Sequence, residues 1–227
     1  MDSTRKTARI VGVLFITALA SSMLSGSFLG SVDDPDYLTA VSANESQLLI
    51  GVLFQLVLTA SVVAIPIMMY PILKTHNVSS AIGYASARIF EGFFDALMAI
   101  SLLLLLTISW KFVEAGAPKA TYFQTSGAVL LAAFDWSSIV ENFPYGLGAL
   151  IFYYSSYRLD LIPRWLSGWG LIGGTLMIVM GLLRMFGNSV IFLAIPIILN
   201  ELVLAIWLIV KGFNSSVNAL DSAKMEL

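Results

Sequence analysis

The chain contains no cysteine and a single histidine, His76. The first absence excludes disulfides, thiolate metal sites and a cysteine nucleophile, and leaves the redox compartment open. The second excludes a histidine-rich metal site, and His76 lies in the short stretch after the second apolar segment, too far out to serve a Ser-His-Asp triad or a haem within the apolar segments. His-Glu-x-x-His and glycine-rich phosphate loops are missing as well. Lys74, Lys111 and Lys211 all sit at the ends of apolar segments, which leaves no mid-segment lysine for a retinal Schiff base. Charge of either sign is scarce. Only 11% of the residues are charged and 58% are hydrophobic, against about a quarter charged in soluble domains. A globule of this size could not coat its surface with so few charges, whereas a chain placed in hydrocarbon needs no such coat. The net charge of −2 offers no basic surface for nucleic acid.

What the sequence does have is six long apolar runs: Ile10–Leu29, Leu48–Leu73, Ile82–Trp110, Phe123–Tyr157, Trp165–Phe186 and Val190–Lys211. Each reaches the roughly 20 residues that a helix needs to cross about 30 Å of hydrocarbon. The expected fold is therefore all-α, a polytopic bundle of six transmembrane helices in one domain over residues 1–214, followed by a loose polar tail over 215–227. The fourth run is too long for one straight span and is expected to be tilted, extended, or broken at Asn142-Phe143-Pro144-Tyr145-Gly146. Arg5, Lys6 and Arg9 before the first run, with Ala18-Leu19-Ala20 inside it, have the outline of a signal peptide. The run continues past Ala20 to Leu29, a full span, which predicts a retained helix.

Basic residues give the orientation. Arg5, Lys6, Arg9, Lys74, Arg158, Arg164, Lys211 and Lys224 fall on one side, whereas only Lys111 and Lys119 fall on the other, beside the acidic Asp33, Asp34, Asp36 and Glu45. By the positive-inside rule both termini are cytoplasmic, in the cell membrane. Gly30–Gln47 is the one long connection and reads as an outward-facing acidic loop. Trp110, Tyr122, Tyr157, Trp165 and Trp169 lie near helix ends, where amphipathic rings favour the interface. Gly26–Gly30 and Gly170–Gly174 are small-xxx-small pairs that read as helix packing. Ala64-Ile65-Pro66-Ile67 recurs as Ala194-Ile195-Pro196-Ile197 but joins the second run to the sixth, the wrong pair for an inverted three-plus-three repeat.

The chemistry-bearing residues are the polar ones inside these runs. Tyr84, Arg88, Glu91 and Asp95 in the third run are spaced to share one helical face. The fourth run carries Asp135, Glu141 and Asn142, and the sixth carries Asn200 and Glu201 near its midpoint. A charge at the bilayer centre costs about 2.5–3.5 kcal/mol on insertion scales, so these groups should face the bundle interior or water. Arg88 can pair with Glu91 along its helix, or with Glu141 or Glu201 across helices, while Arg184 is expected to snorkel to the surface. One arginine cannot neutralise five acids. The remainder must be protonated, solvated or bound to a cation. Pro144 and Pro196 add a backbone cue, since an interior proline leaves the carbonyls of Val140 and Phe192 without their helical donor.

At these residues the chain resembles the bacterial multi-pass membrane family known as domain of unknown function 4386. The resemblance rests on Ala8-Arg9-Ile10-Val11-Gly12-Val13-Leu14, Ala87-Arg88-Ile89-Phe90-Glu91, Leu161-Ile162-Pro163-Arg164-Trp165-Leu166-Ser167-Gly168, and Asn200-Glu201-Leu202 through Trp207-Leu208-Ile209-Val210-Lys211-Gly212. It implies that Arg88, Glu91 and Glu201 belong to the family pattern, and it brings no activity, substrate or cofactor with it. It also implies that members often carry a histidine in the fourth helix. This chain reads Phe143-Pro144-Tyr145-Gly146 there, so a mechanism needing that histidine has no counterpart.

Three functional expectations follow. The first is an internal acidic cavity that binds or moves a cation, a proton or a small cationic molecule, with Arg88, Glu91, Asp95, Asp135, Glu141, Asn142, Asn200 and Glu201 as the candidate residues. The second is a non-catalytic bundle, a subunit or regulator whose intramembrane charges fix helix register. The third is an intramembrane aspartyl hydrolase using Asp95 and Asp135 on consecutive helices, although the Gly-x-Gly-Asp and Pro-Ala-Leu motifs of such enzymes are missing. The expected partners are the lipid bilayer and a cation or small polar ligand. The sequence leaves cofactor identity and oligomeric state open.

Overall fold

The computed structural model describes residues 3–115 and 120–214; the tail expected over 215–227, Lys119 and Lys224 lie outside them. Among the described residues every regular element is helical: α1 (Ser3–Ser27), α2 (Tyr37–Ala43), α3 (Glu45–Leu73), α4 (Val78–Ala115), α5 (Ala120–Arg158), α6 (Arg164–Met185) and α7 (Ile195–Val210), with single 3-10 turns at Gly30–Asp33 and Ile191–Ala194. Five of them, α1, α3, α4, α6 and α7 with its leading turn, are long and apolar enough to cross a bilayer. Helix α5, where the fourth span was expected, is not among the five.

The six long helices pack in a closed ring in the order α1, α3, α4, α5, α6, α7 and back to α1. Each chain neighbour is antiparallel to the last, and small residues set the close approaches. A Cβ on Gly12 of α1 would come within 2.7 Å of the Ala205 carbonyl of α7, and one on Gly92 of α4 within 2.8 Å of Val63 on α3. The Gly170–Gly174 pair lies against Tyr153 and Ala149 of α5 and is a packing stripe, as expected. Gly26 and Gly30 have nothing within reach and play no such part.

Two apolar cores divide the bundle along its length. One, built on Phe15, Ile65, Met69, Tyr84, Phe152 and Leu204, fills the end that carries most of the basic residues. Leu161 and Ile162, from the stretch that supports the family resemblance, are wholly buried in it and plug that end. The other, built on Leu38, Val41, Leu48, Leu102, Leu105 and Phe123, fills the opposite end. The second core explains why the Gly30–Gln47 connection is not the plain loop expected. Leu38 and Val41 are one helical turn apart and both are buried, so seven residues fold as α2 against α4. The Ser109 hydroxyl donates to the Leu38 carbonyl, and the Tyr37 hydroxyl donates to the Gln124 carbonyl at 2.9 Å.

Of the three alternatives for the fourth run a break is ruled out, and the expectation for Pro196 is corrected. Helix α5 is continuous through Asn142–Gly146, with Pro144 inside it. Gly146, half a turn on, brings the α5 backbone against Gly174 and Ile178 of α6, which holds the helix in place beyond the proline. Pro196 is not an interior kink at all: it falls in the first turn of α7, where a missing N–H costs nothing. The Phe192 carbonyl, expected to be free, accepts the N–H of Ile195.

Candidate functional site

Between the two cores lies a cavity of about 200 Å³ to which every long helix contributes. Ser22 of α1 and Val62 of α3 line it beside Arg88 and Glu91 of α4, Glu141 and Tyr145 of α5, Met177 of α6 and Glu201 of α7. Its remaining walls are aliphatic, among them Ala18, Leu58 and Ile197. Ser22 and Ile198 are exposed, which places the mouth between α1 and α7.

Arg88 is 3% exposed and forms an ion pair with Glu91 at 3.0 Å, one turn along the same helix. Its guanidinium also sits 5.5 Å from the centre of the Tyr145 ring. Gly148 of α5 makes room for the arginine stem, since a Cβ there would lie 3.3 Å from Arg88 Cδ. Of the pairings open to Arg88, the intrahelical one is formed. Tyr145 of α5 and Glu201 of α7 both line the cavity.

Asp95 lies two turns along α4 from Arg88, is 1% exposed and does not line the cavity. Its Oδ1 accepts from Gln55 Nε2 at 2.9 Å, and Gln55 Oε1 accepts from the Ser25 hydroxyl at 3.2 Å. This chain ties α1, α3 and α4 together at one level, while Asp95 Oδ2 is buried with no hydrogen-bond partner. Glu141 lines the cavity together with Arg88 and Glu91.

The remaining candidates do not join the cavity. Asn142 donates to the Ser138 and Ile139 carbonyls of its own helix at 2.9 and 3.0 Å. Asn200 donates to the Leu166 carbonyl at 2.9 Å and so fastens α7 to the start of α6. Asp135 is exposed on α5 whereas Asp95 is buried, so the two aspartates do not present the shared pair that a hydrolase needs. Arg184 turns toward α5 rather than outward, its guanidinium donating to the Ser138 hydroxyl at 3.2 and 3.3 Å. The inward-facing set is thus four acids and Arg88, not five.

Sequence reasoning missed Gln55, Ser25 and Tyr145. A neutral amide isolated among the aliphatic residues of Leu48–Leu73 was a usable signal for Gln55, because burying an amide demands a partner. Ser25 and Tyr145 carried no comparable mark. Among the described residues no three His, Asp or Glu side chains come close enough together to hold a metal ion.

No curated protein and no solved structure matches this chain. The family model described as Domain of unknown function (DUF4386) matches residues 10–212, and the chain belongs to that family.

Proposed function

We propose that this protein is a six-span membrane protein whose acidic cavity binds a small organic cation and carries it across part of the bilayer. The observation that carries the reading is the charge count at one cavity. Glu91, Glu141 and Glu201 face it together, and Arg88, the only cation lining it, is already paired with Glu91. Two carboxylates remain for a ligand. A metal ion would need several oxygen ligands converging on one point, which the acids here do not provide. An alkylammonium ion needs only charge at one end and apolar contact at the other. Glu141 and Glu201 against the aliphatic walls of Ala18, Leu58, Met177 and Ile197 supply that combination.

The sixth span in this reading is α5, which runs between α4 and α6 inside the ring. Both termini then lie on one side, together with Lys74, Arg158, Arg164 and Lys211, and the positive-inside rule makes that side the cytoplasm of the cell. Interfacial rings suit the assignment: Tyr157 and Trp165 are exposed at the basic end, and Trp110 and Tyr122 at the other.

The test is the thermal stability of the purified protein in detergent with a panel of alkylammonium salts and sodium chloride controls. Stabilisation by alkylammonium ions that is lost in Glu201→Gln and Glu141→Gln, with both variants still folded, is the expected result. Equal response of wild type and variants, or none from wild type, sinks the reading. The Arg88–Glu91 pair and the Ser25–Gln55–Asp95 chain favour one other reading, a bundle whose polar groups only fix helix register. That reading predicts no ligand response at all.

A further inference from the structure

Asp95 has no task in cation binding as described above, and its surroundings do not suit a carboxylate. It is 1% exposed, and Oδ1 has a single neutral donor, Gln55, while Oδ2 has no partner. The charged groups that face it are Arg88 and Glu91 on its own helix and Glu141 on α5. Helices α3 and α1 present only the neutral Gln55 and Ser25. Arg88 is spent on Glu91 at 3.0 Å. A buried carboxylate with one hydrogen bond and no counter-ion is costly, and taking up a proton removes the charge. Asp95 does not line the cavity but lies one turn along α4 from Glu91, which does, so a cation held there would bring its charge close to Asp95.

We propose that Asp95 carries a proton while the cavity is empty, and that a cation entering the cavity displaces that proton. The inference rests on the cation-binding reading and adds its coupling ion. The exchange balances: one monovalent cation enters the cavity, and the Asp95 carboxyl releases one proton, which ends in bulk water. No bond to carbon changes and the net charge of the site is the same before and after. The coupling makes the protein an exchanger of organic cations against protons rather than a passive binder.

Tetramethylammonium chloride is the probe, because it cannot itself gain or lose a proton. Added to purified protein in weakly buffered solution with a pH indicator, it should acidify the medium by one proton per site filled. Asp95→Asn keeps the shape of the side chain and should still be stabilised by the probe, with the proton signal lost. Stabilisation without acidification, or the same acidification in Asp95→Asn, overturns the coupling while leaving cation binding intact. If no alkylammonium ion stabilises the wild type, the binding reading fails by itself. Infrared spectroscopy of the empty protein then decides the protonation separately. A protonated-carboxyl carbonyl band at neutral pH that vanishes in Asp95→Asn supports the assignment, and a wild-type spectrum without such a band refutes it.

Discussion

Replacing Arg88 by methionine isolates the energetics of the buried pair. The substitution keeps most of the apolar stem and removes the charge, leaving Glu91 at 3% exposure without its 3.0 Å partner. Breaking a buried ion pair from one side typically costs about 3–5 kcal/mol. Glu91 has an escape, because it can fold as the neutral acid. Holding protonated at pH 7 a glutamate that ordinarily titrates near 4.3 costs about 2.7 × 1.36, or ~3.7 kcal/mol, which caps the loss. The cap depends on pH. In the variant the folded chain binds a proton that the unfolded chain does not, so stability falls as pH rises, by about 1.4 kcal/mol per unit above ~4.3. At pH 5.5 the penalty shrinks to about 1.6 kcal/mol by the same arithmetic. Wild type, in which Glu91 keeps its 3.0 Å partner, should show a shallower slope than the variant. Unfolding of the purified protein between pH 5 and pH 8 measures both quantities, and Arg88→Met combined with Glu91→Gln should recover most of the loss. A loss below about 1 kcal/mol at pH 7, or a double variant no better than the single, refutes the assignment of Arg88 as the counter-ion of Glu91.

Gly146→Val tests the contact of α5 with α6. Its Cβ would fall 2.6 Å from Ile178 Cγ1 and 2.7 Å from the Gly174 carbonyl oxygen, and a backbone atom cannot step aside. A loss of about 2–3 kcal/mol in the same unfolding experiment is expected, the upper part of the range for overpacking. Asp135→Asn, at an exposed position, should change stability by less than about 0.5 kcal/mol and leave any alkylammonium response intact. A lost response there would return Asp135 to the site.

The sequence made the α4 side of the site legible because helical periodicity is enough to align Arg88, Glu91 and Asp95. It did not separate the acids of α5. Asp135 and Glu141 were both counted as interior, yet six residues at 100° each leave them about 120° apart around the helix. One can face the cavity only if the other does not. Tyr145, four residues from Glu141, shares its face and lines the cavity with it. The Pro196 expectation failed for a different reason. The apolar run beginning at Val190 gave no sign that a 3-10 turn precedes the helix, and that turn places the proline at a helix start. The helix α2 was hidden because its buried face is only Leu38 and Val41, set within acidic and small polar residues that otherwise spell a loop.

Depth explains why the helix carrying much of the site is also the one that lacks the apolar signature of a span. Counted at 1.5 Å per residue from the basic end of each helix, Glu201 and Arg88 lie about 14–15 Å in, Glu91 about 20 Å, and Asp95 and Glu141 about 26 Å. Gln55, counted from Leu73, comes to about 27 Å, the level of the aspartate it binds. Asp135 comes to about 34 Å, past the far edge of a hydrocarbon layer about 30 Å thick. Helix α5 is thus polar for two unrelated reasons. In the proposed six-span arrangement nearly the first half of α5 projects beyond the bilayer, where Asp135 costs little, and its middle turns Glu141 and Tyr145 into the ring. Averaged over a window, the two contributions hide the proposed span, whose outer side carries the exposed Leu147 and Tyr154 within the layer. The same counting turns the acids from a cluster into a ladder, from Glu201 at mid-depth through Glu91 to Glu141 and Asp95 near the far side. Under the proposed cation-carrying function, a proton or cation leaving Glu201 toward that side would meet a carboxylate at each of the next two levels.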